Sequence, residues 1–256
     1  MIRVVVLREV SAENALAISG FPGMGLVGKT VADFFIKSLD AEPIARIYST
    51  RFPAHLVVHS NAVADLNRVD IYFARYNTTP IFIVTSDTQP LHDEDQHELS
   101  YKIVEHLSNL GVRELIATAA FVTESIVEKR RVFVTGNSEQ IVRKYVDAGA
   151  EPLREGMITG MNGVIVGWAK AFGIDSVCLL GETWRSIVEL KHIDDGAAKM
   201  IVDIIAKVWS MRLETSELVQ SSQQVETEVK QLVQTYLKQV GKKEEEQGRR
   251  THYYIT

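Results

Sequence analysis

The chain has 256 residues, 46% of them hydrophobic, which is enough for a large domain with a substantial core and excludes a disordered or fibrous protein. Its 28 Lys+Arg against 33 Asp+Glu leave a net charge of -5, which excludes a general electrostatic attraction to nucleic acid or to anionic membranes.

From the N-terminus, the apolar run over residues 4–7 is too short for the centre of a signal peptide and closes on Arg8 and Glu9, so it reads as a first strand. Nowhere does a stretch approach the roughly 20 apolar residues of a membrane span. Short Val- and Ile-rich runs then alternate with amphipathic stretches, the pattern of parallel strands covered on both faces by crossover helices. Strands are predicted over residues 3–7, 15–19, 44–48, 55–59, 70–75, 80–86, 114–119, 131–135 and 176–180. Helices are predicted over 26–39, 93–109, 138–146, 164–172 and 197–209. Residues 1–211 are thus expected to form one α/β sandwich domain. Its single cysteine, Cys178, lies in the apolar run Ser176-Val177-Cys178-Leu179-Leu180 and has no internal disulfide partner. A reducing, cytoplasmic setting and an inert thiol within a buried strand are expected, rather than a nucleophile.

Composition changes after Met211. Residues 212–240 contain no Gly or Pro, and Val225, Val229, Leu232, Tyr236 and Val240 recur at steps of three or four, so a long polar helix with one apolar stripe is predicted. That stripe fits either the sheet domain or a neighbouring subunit. Residues 241–256 are highly charged and carry Gly241 and Gly248, a composition expected to give a flexible tether. The chain ends Thr251-His252-Tyr253-Tyr254-Ile255-Thr256, where two tyrosines and an isoleucine need a surface to receive them.

The stretch GFPGMGLVGKT, residues 20–30, contains the spacing of a phosphate loop: Gly23, four residues, then Gly28-Lys29-Thr30. In such a loop glycines let backbone N–H groups turn inward around an anion, lysine reaches the outer phosphates and the threonine hydroxyl helps hold magnesium. Asp87, after the apolar run 80–86, could supply the magnesium-holding acid. Lys29, Thr30 and Asp87 therefore define one alternative, a nucleotide-binding ATPase or GTPase. Against it, Leu26 and Val27 are bulky apolar groups within the loop, and Pro22 removes a donor. A similar stretch, Gly160-Met161-Asn162-Gly163, again leads into a helix but lacks the lysine. Two such strand-to-helix corners suggest that Gly20, Gly23, Gly25, Gly28, Gly160 and Gly163 serve close helix–sheet packing.

These same residues carry a family resemblance. Gly20-Phe21-Pro22-Gly23-Met24-Gly25-Leu26-Val27-Gly28 resembles the signature of the proteasome-assembly-chaperone family. Its later signature is similar to Ile158-Thr159-Gly160-Met161-Asn162-Gly163, followed by Phe172-Gly173-Ile174-Asp175 and Cys178-Leu179-Leu180-Gly181-Glu182-Thr183. The resemblance spans about residues 10–210. It implies a three-layer α/β/α sandwich like that of nucleoside phosphorylases, a fold that includes enzymes and non-enzymes; no enzymatic activity and no cofactor are expected here. It also implies a homo-oligomer, tetramer or pentamer, that assists assembly of the 20S proteasome or docks on it and activates it. In archaeal relatives a C-terminal motif of a hydrophobic residue, tyrosine and a last residue enters pockets between proteasome α subunits, the ring filling a groove and the terminal carboxylate meeting a lysine. Tyr253, Tyr254, Ile255 and Thr256 are the residues implied here. The match is displaced by one position, since Ile255 stands where tyrosine is expected, moving the carboxylate by about 3.3 to 3.6 Å if extended.

Other patterns point less far. His92 and His97 are five apart, which on a helix turns them away from each other, and Asp93, Glu94 and Asp95 suit a helix's first turn; no metal site is expected there. His55 and His59 fall in a predicted half-buried strand. Glu182 and Thr183 close a predicted strand at the edge of an open sheet where ligands often bind, which leaves a small-ligand sensor as a second alternative.

Overall fold

The computed structural model describes the backbone of residues 1–251 and the side chains of residues 1–236. The described residues form eleven strands: β1 (Ile2–Val6), β2 (Ala15–Gly20), β3 (Glu42–Ser49), β4 (Leu56–Val58), β5 (Ala64–Leu66), β6 (Arg68–Tyr76), β7 (Thr79–Ser86), β8 (Val112–Thr123), β9 (Val132–Gly136), β10 (Glu151–Pro152) and β11 (Asp175–Trp184). The helices are α1 (Val27–Ser38), α2 (Asp93–Asn109), α3 (Glu139–Asp147), α4 (Met161–Ala171), α5 (Arg185–Glu189), α6 (Asp195–Val208) and α7 (Ser216–Thr251).

Nine strands make one sheet in the order β1-β3-β6-β7-β2-β8-β11-β9-β10. The all-parallel expectation is corrected by this arrangement. The centre, β7-β2-β8-β11, is parallel, as is the short β9–β10 pair at one edge; β6 runs antiparallel to β7 and β3, β3 to β1, and β9 to β11. Chain length decides the case of β6 and β7. Two residues, Asn77 and Thr78, join them, whereas a parallel neighbour needs a crossover of a dozen or more. The predicted strand at 55–59 also leaves the main sheet: β4 pairs only with β5, and Leu56 and Val58 are exposed rather than half-buried.

Strand alternation sorts the core into two halves, giving the expected three layers. Ala15 and Ala17 of β2 face α2 and α4, where Leu99, Ile103, Met161 and Ile165 are buried. Leu16 and Ile18 face α1, α3 and α6, against Val31, Phe35, Tyr145, Ile201 and Ile205. Each large apolar side chain so removed from water contributes about 1.5–3 kcal/mol, so strands buried on both faces must be continuously apolar, as β2 is.

Helix ends follow local chemistry. Ser138 accepts a hydrogen bond from Ile141 N at 3.3 Å to cap α3, and Asp194 accepts one from Ala197 N at 3.0 Å to cap α6. Sequence reading started α4 at 164; the helix begins three residues earlier, directly after Gly160, whose φ is 82°. Residues 212–215 lie outside α7, and its backbone continues through Gly241 and Gly248 to Thr251, past the end predicted at 240. Lys, Glu and Gln between those glycines, and Arg249 and Arg250 after them, are good helix formers, and extending an existing helix needs no new nucleation.

Candidate functional site

The carboxyl ends of β2, β7, β8 and β11 gather both glycine corners into one region. Gly20, the last residue of β2, abuts Gly28 in the first turn of α1, and a methyl group on Gly20 would collide with the Gly28 carbonyl oxygen. A methyl on Gly28 would in turn strike the carbonyl oxygen of Thr118 in β8. Thr118 Oγ1 closes this contact by donating to Ser19 O at 2.9 Å and to Gly28 O at 3.3 Å. Only hydrogen side chains let the helix lie this close to two strands.

Between them the loop folds into a single 3-10 turn, Met24–Leu26, with Leu26 N donating to Gly23 O at 3.0 Å. Gly25 takes φ 59°, and its amide neighbours touch a second set of groups: Asp194 N donates to Gly25 O at 2.8 Å. Gly23 has an extended φ of -159°, with open space at its Cβ position apart from Asn162 at 3.8 Å. A substitution there is sterically tolerable, unlike at Gly20 or Gly28.

The second corner is bound directly to the first. Phe21 N donates to Asn162 Oδ1 at 3.0 Å, and Asn162 Nδ2 returns a bond to Phe21 O at 3.1 Å, all buried. Gln89 makes a second bridge, donating to Pro22 O while its Oε1 accepts from Met161 N at 2.9 Å. Gly163 packs on Ile158, whose carbonyl oxygen would lie 2.5 Å from an added methyl. The bridging roles of Asn162 and Gln89 were not evident in the sequence. Their signal was there only for Asn162, which sits inside the second glycine stretch.

The phosphate-loop residues do not converge on an anion cradle. Lys29 Nζ lies 2.5 Å from Asp33 Oδ1 and 3.4 Å from Asp87 Oδ1. Burial opposes its charge, but the hydrogen bond and field of Asp33, aided by Asp87, outweigh it and hold the ammonium above its ordinary range. Asp87 thus pairs with Lys29, and the loop's interior is taken up by its own 3-10 turn and by Asn162. Cys178 is wholly buried in β11, and burial pushes its thiol up to about 12, which leaves no thiolate at neutral pH. His97 packs edge-on to Trp168 with ring centroids 6.1 Å apart, while Asp95 lies 3.2 Å from Arg51. His59 Nε2 meets Asp65 at 3.1 Å and His55 Nε2 meets Asn67 at 3.1 Å.

The loop's far side meets an ionic hub that sequence reading missed. Asp194 Oδ2 lies 2.5 Å from both Arg130 Nη1 and Thr183 Oγ1. Arg130 also donates to Glu182 O at 3.1 Å and to Glu226 of α7 at 3.0 Å, and its guanidinium stacks 4.6 Å from the Trp184 ring centre. Next to it, Arg131 grips Glu182 through Nη2 at 2.7 Å, Nε at 3.1 Å and its backbone N at 3.0 Å. That hydrogen bonding holds the Glu182 carboxyl below the usual carboxylate range against its burial.

The hub answers where the stripe of α7 goes. Val229 is buried, and Val225 and Val233 pack with it on Trp184 and Ile187. Farther on, Leu232 is 45% and Tyr236 66% exposed. The first half of the stripe therefore docks on the chain's own body. Tyr253, Tyr254, Ile255 and Thr256 lie outside the described residues.

The protein is thus a mixed sheet between two helical layers, with two glycine corners tied together by Asn162 and Gln89 and an appended helix held by Arg130. The chain belongs to the PAC2 family, whose model matches residues 17–233. It is similar to Pyrococcus furiosus PbaB, described as an archaeal proteasome activator, at TM-score 0.82 and 24% identity over 90% of this chain and 98% of that one. Pyrococcus furiosus PbaA, described as an archaeal homolog of proteasome-assembly chaperone, matches at TM-score 0.74 and 26% identity over 98% and 99%. An uncharacterized protein of Methanocaldococcus jannaschii is 26% identical over 207 residues, 80% of this chain and 78% of the relative. Among the described residues no helix is long and apolar enough to cross a membrane.

Proposed function

We propose that the protein is a non-enzymatic, homo-oligomeric, cytoplasmic binding protein that assists assembly of the 20S proteasome or docks on it and activates it. Its contacts with the proteasome α subunits are made through Tyr253, Tyr254, Ile255 and Thr256. One observation carries the reading: α7 is anchored at Val229 and its backbone continues for 22 residues to Thr251, about 33 Å of helix, in a chain whose fold matches an archaeal proteasome activator. Such an arm carries its described end, Thr251, well away from the point of attachment. The exposed Leu232 and Tyr236 give neighbouring arms an apolar stripe for pairing. A four-residue plug binds weakly alone, but several on one tetramer or pentamer raise each other's effective concentration and gain about 10²- to 10⁴-fold when their spacing fits the ring. The likeness to nucleoside phosphorylases concerns the layered fold and adds no chemistry to this reading.

The test is deletion of residues 253–256. Co-sedimentation with 20S particles should be lost while oligomer size, read by native mass measurement, stays the same. Undiminished co-sedimentation of the truncated chain overturns the role of the tail.

A further inference from the structure

The corner region holds a cleft of about 650 Å³, lined by none of the described residues of α7. Phe121, Val122, Leu153 and Ile158 supply its apolar walls, and Met24, Leu91 and Met157 line it as well. Those last three are exposed to 58%, 77% and 94%, a cost in water that a monomeric surface ordinarily avoids at so concentrated a site. Met157 and Met24 are unbranched and polarizable, able to fit side chains of several shapes.

Charge narrows what fits. The ionisable groups lining the cleft are Asp93 and Glu155, both exposed carboxylates, and no Lys or Arg lines it. Neither carboxylate takes part in a salt bridge among the described residues. Two helix N-termini beside the cleft are poor anion sites: at α4 the Met161 N–H is already bound by Gln89, and at α2 the first turn carries Asp93, Glu94 and Asp95. Asn162, 5% exposed at the cleft floor, uses one amide N–H and one side of its carbonyl oxygen on Phe21. It keeps a donor and an acceptor lone pair for a backbone amide.

The geometry points to a second docking site: the cleft between the glycine corners receives an extended peptide segment of a partner protein, apolar at its centre and flanked by Lys or Arg. Alternate apolar side chains enter between Phe121 and Ile158, the peptide amide meets Asn162, and the basic flanks meet Asp93 and Glu155. This site does not depend on the tail or on the proteasome reading.

Two fluorescein-labelled octapeptides that share a Leu/Phe centre and differ only in Lys or Glu flanks test it by fluorescence anisotropy with the full chain. The Lys-flanked peptide should bind about tenfold more tightly, an advantage that shrinks as salt is raised. Asp93→Asn with Glu155→Gln should erase that advantage, and Met157→Arg, at a side chain too exposed to affect folding, should reverse it. Equal binding of the two peptides, binding indifferent to these variants, or binding of neither peptide overturns the proposal. Truncation of residues 253–256 should leave peptide binding unchanged, which separates this result from the test of the tail.

Discussion

The two halves of the α7 stripe have the same periodicity and different fates. Val225 and Val229 meet Trp184 and Ile187, with Glu226 reaching the buried Arg130 alongside them, whereas Leu232 and Tyr236 one and two turns later remain largely in water. Spacing in a helix states that a face is apolar; it does not state what covers it. What separates the halves is a partner far away in sequence, the β11 end at Trp184 and the arginine that precedes β9. One half is a structural seam of this chain. The other is available to a second molecule.

Removing the arginine is the most severe way to break that contrast. Arg130→Leu leaves Asp194 buried at 2% exposure without its cation, and stranding one member of a buried ion pair costs about 3–5 kcal/mol. Chemical unfolding should reveal a loss of this size, with amide exchange accelerating over residues 216–236 beyond any change in β2 or β8. Glu226→Gln keeps the Arg130–Asp194 pair and removes a partner that is only part-buried, so a loss of about 1 kcal/mol or less is expected. If the two variants unfold alike, the hub is not what fastens the helix.

A truncation pair sharpens the same comparison at smaller scale. Val229→Ala deletes two methyl groups from a fully buried position and should cost about 1–2 kcal/mol. Leu232→Ala removes more carbon from a half-exposed position and should change the unfolding free energy of the isolated chain by less than about 0.5 kcal/mol. Should Leu232→Ala instead alter the native mass, the distal stripe is a subunit contact, as the proposed function requires.

Much of this molecule was legible in its sequence, and the parts that were not share a cause. Central strands such as β2 and β7 announced themselves because burial on both faces makes them continuously apolar. At Gly20 and Gly28 the absence of a side chain is what lets α1 lie against β2 and β8, whereas Gly23 has open space at its Cβ position. Strand direction at the β1-β3-β6 edge was not, since alternation is the same for parallel and antiparallel neighbours, and the Asn77–Thr78 turn carries no glycine to announce a hairpin. The hub was hidden for a plainer reason: Arg130, Glu182, Asp194 and Glu226 are spread over 96 residues, and charged side chains are ordinarily read as surface. The exposed hairpin β4–β5 contradicts the half-buried reading of His55 and His59 because its neighbours in space, not its alternation, decide burial.

Acid should loosen the docked half by a route that leaves the distal half indifferent. Glu182 lies under Arg131, and its own carbonyl oxygen holds Arg130, so this one residue braces the platform on which α7 rests. Its carboxyl is held below the ordinary value, first by the Arg131 hydrogen bond, so the folded state binds a proton less readily than the unfolded chain. The stabilisation is therefore complete above the unfolded glutamate value of about 4.3 and is lost as pH falls through the lower folded value. Asp195 opposes this slope: burial raises its carboxyl, so the folded state takes up that proton first and gains slightly as pH falls through the raised folded value toward the unfolded one. Glu182→Gln separates the two. The variant should unfold more easily at pH 7 yet lose less stability than the parent on acidification from pH 5 to 3. Asp195→Asn should steepen the parent's decline. A Glu182→Gln profile parallel to the parent's would mean that other carboxylates carry the acid sensitivity and that the brace beneath α7 does not titrate.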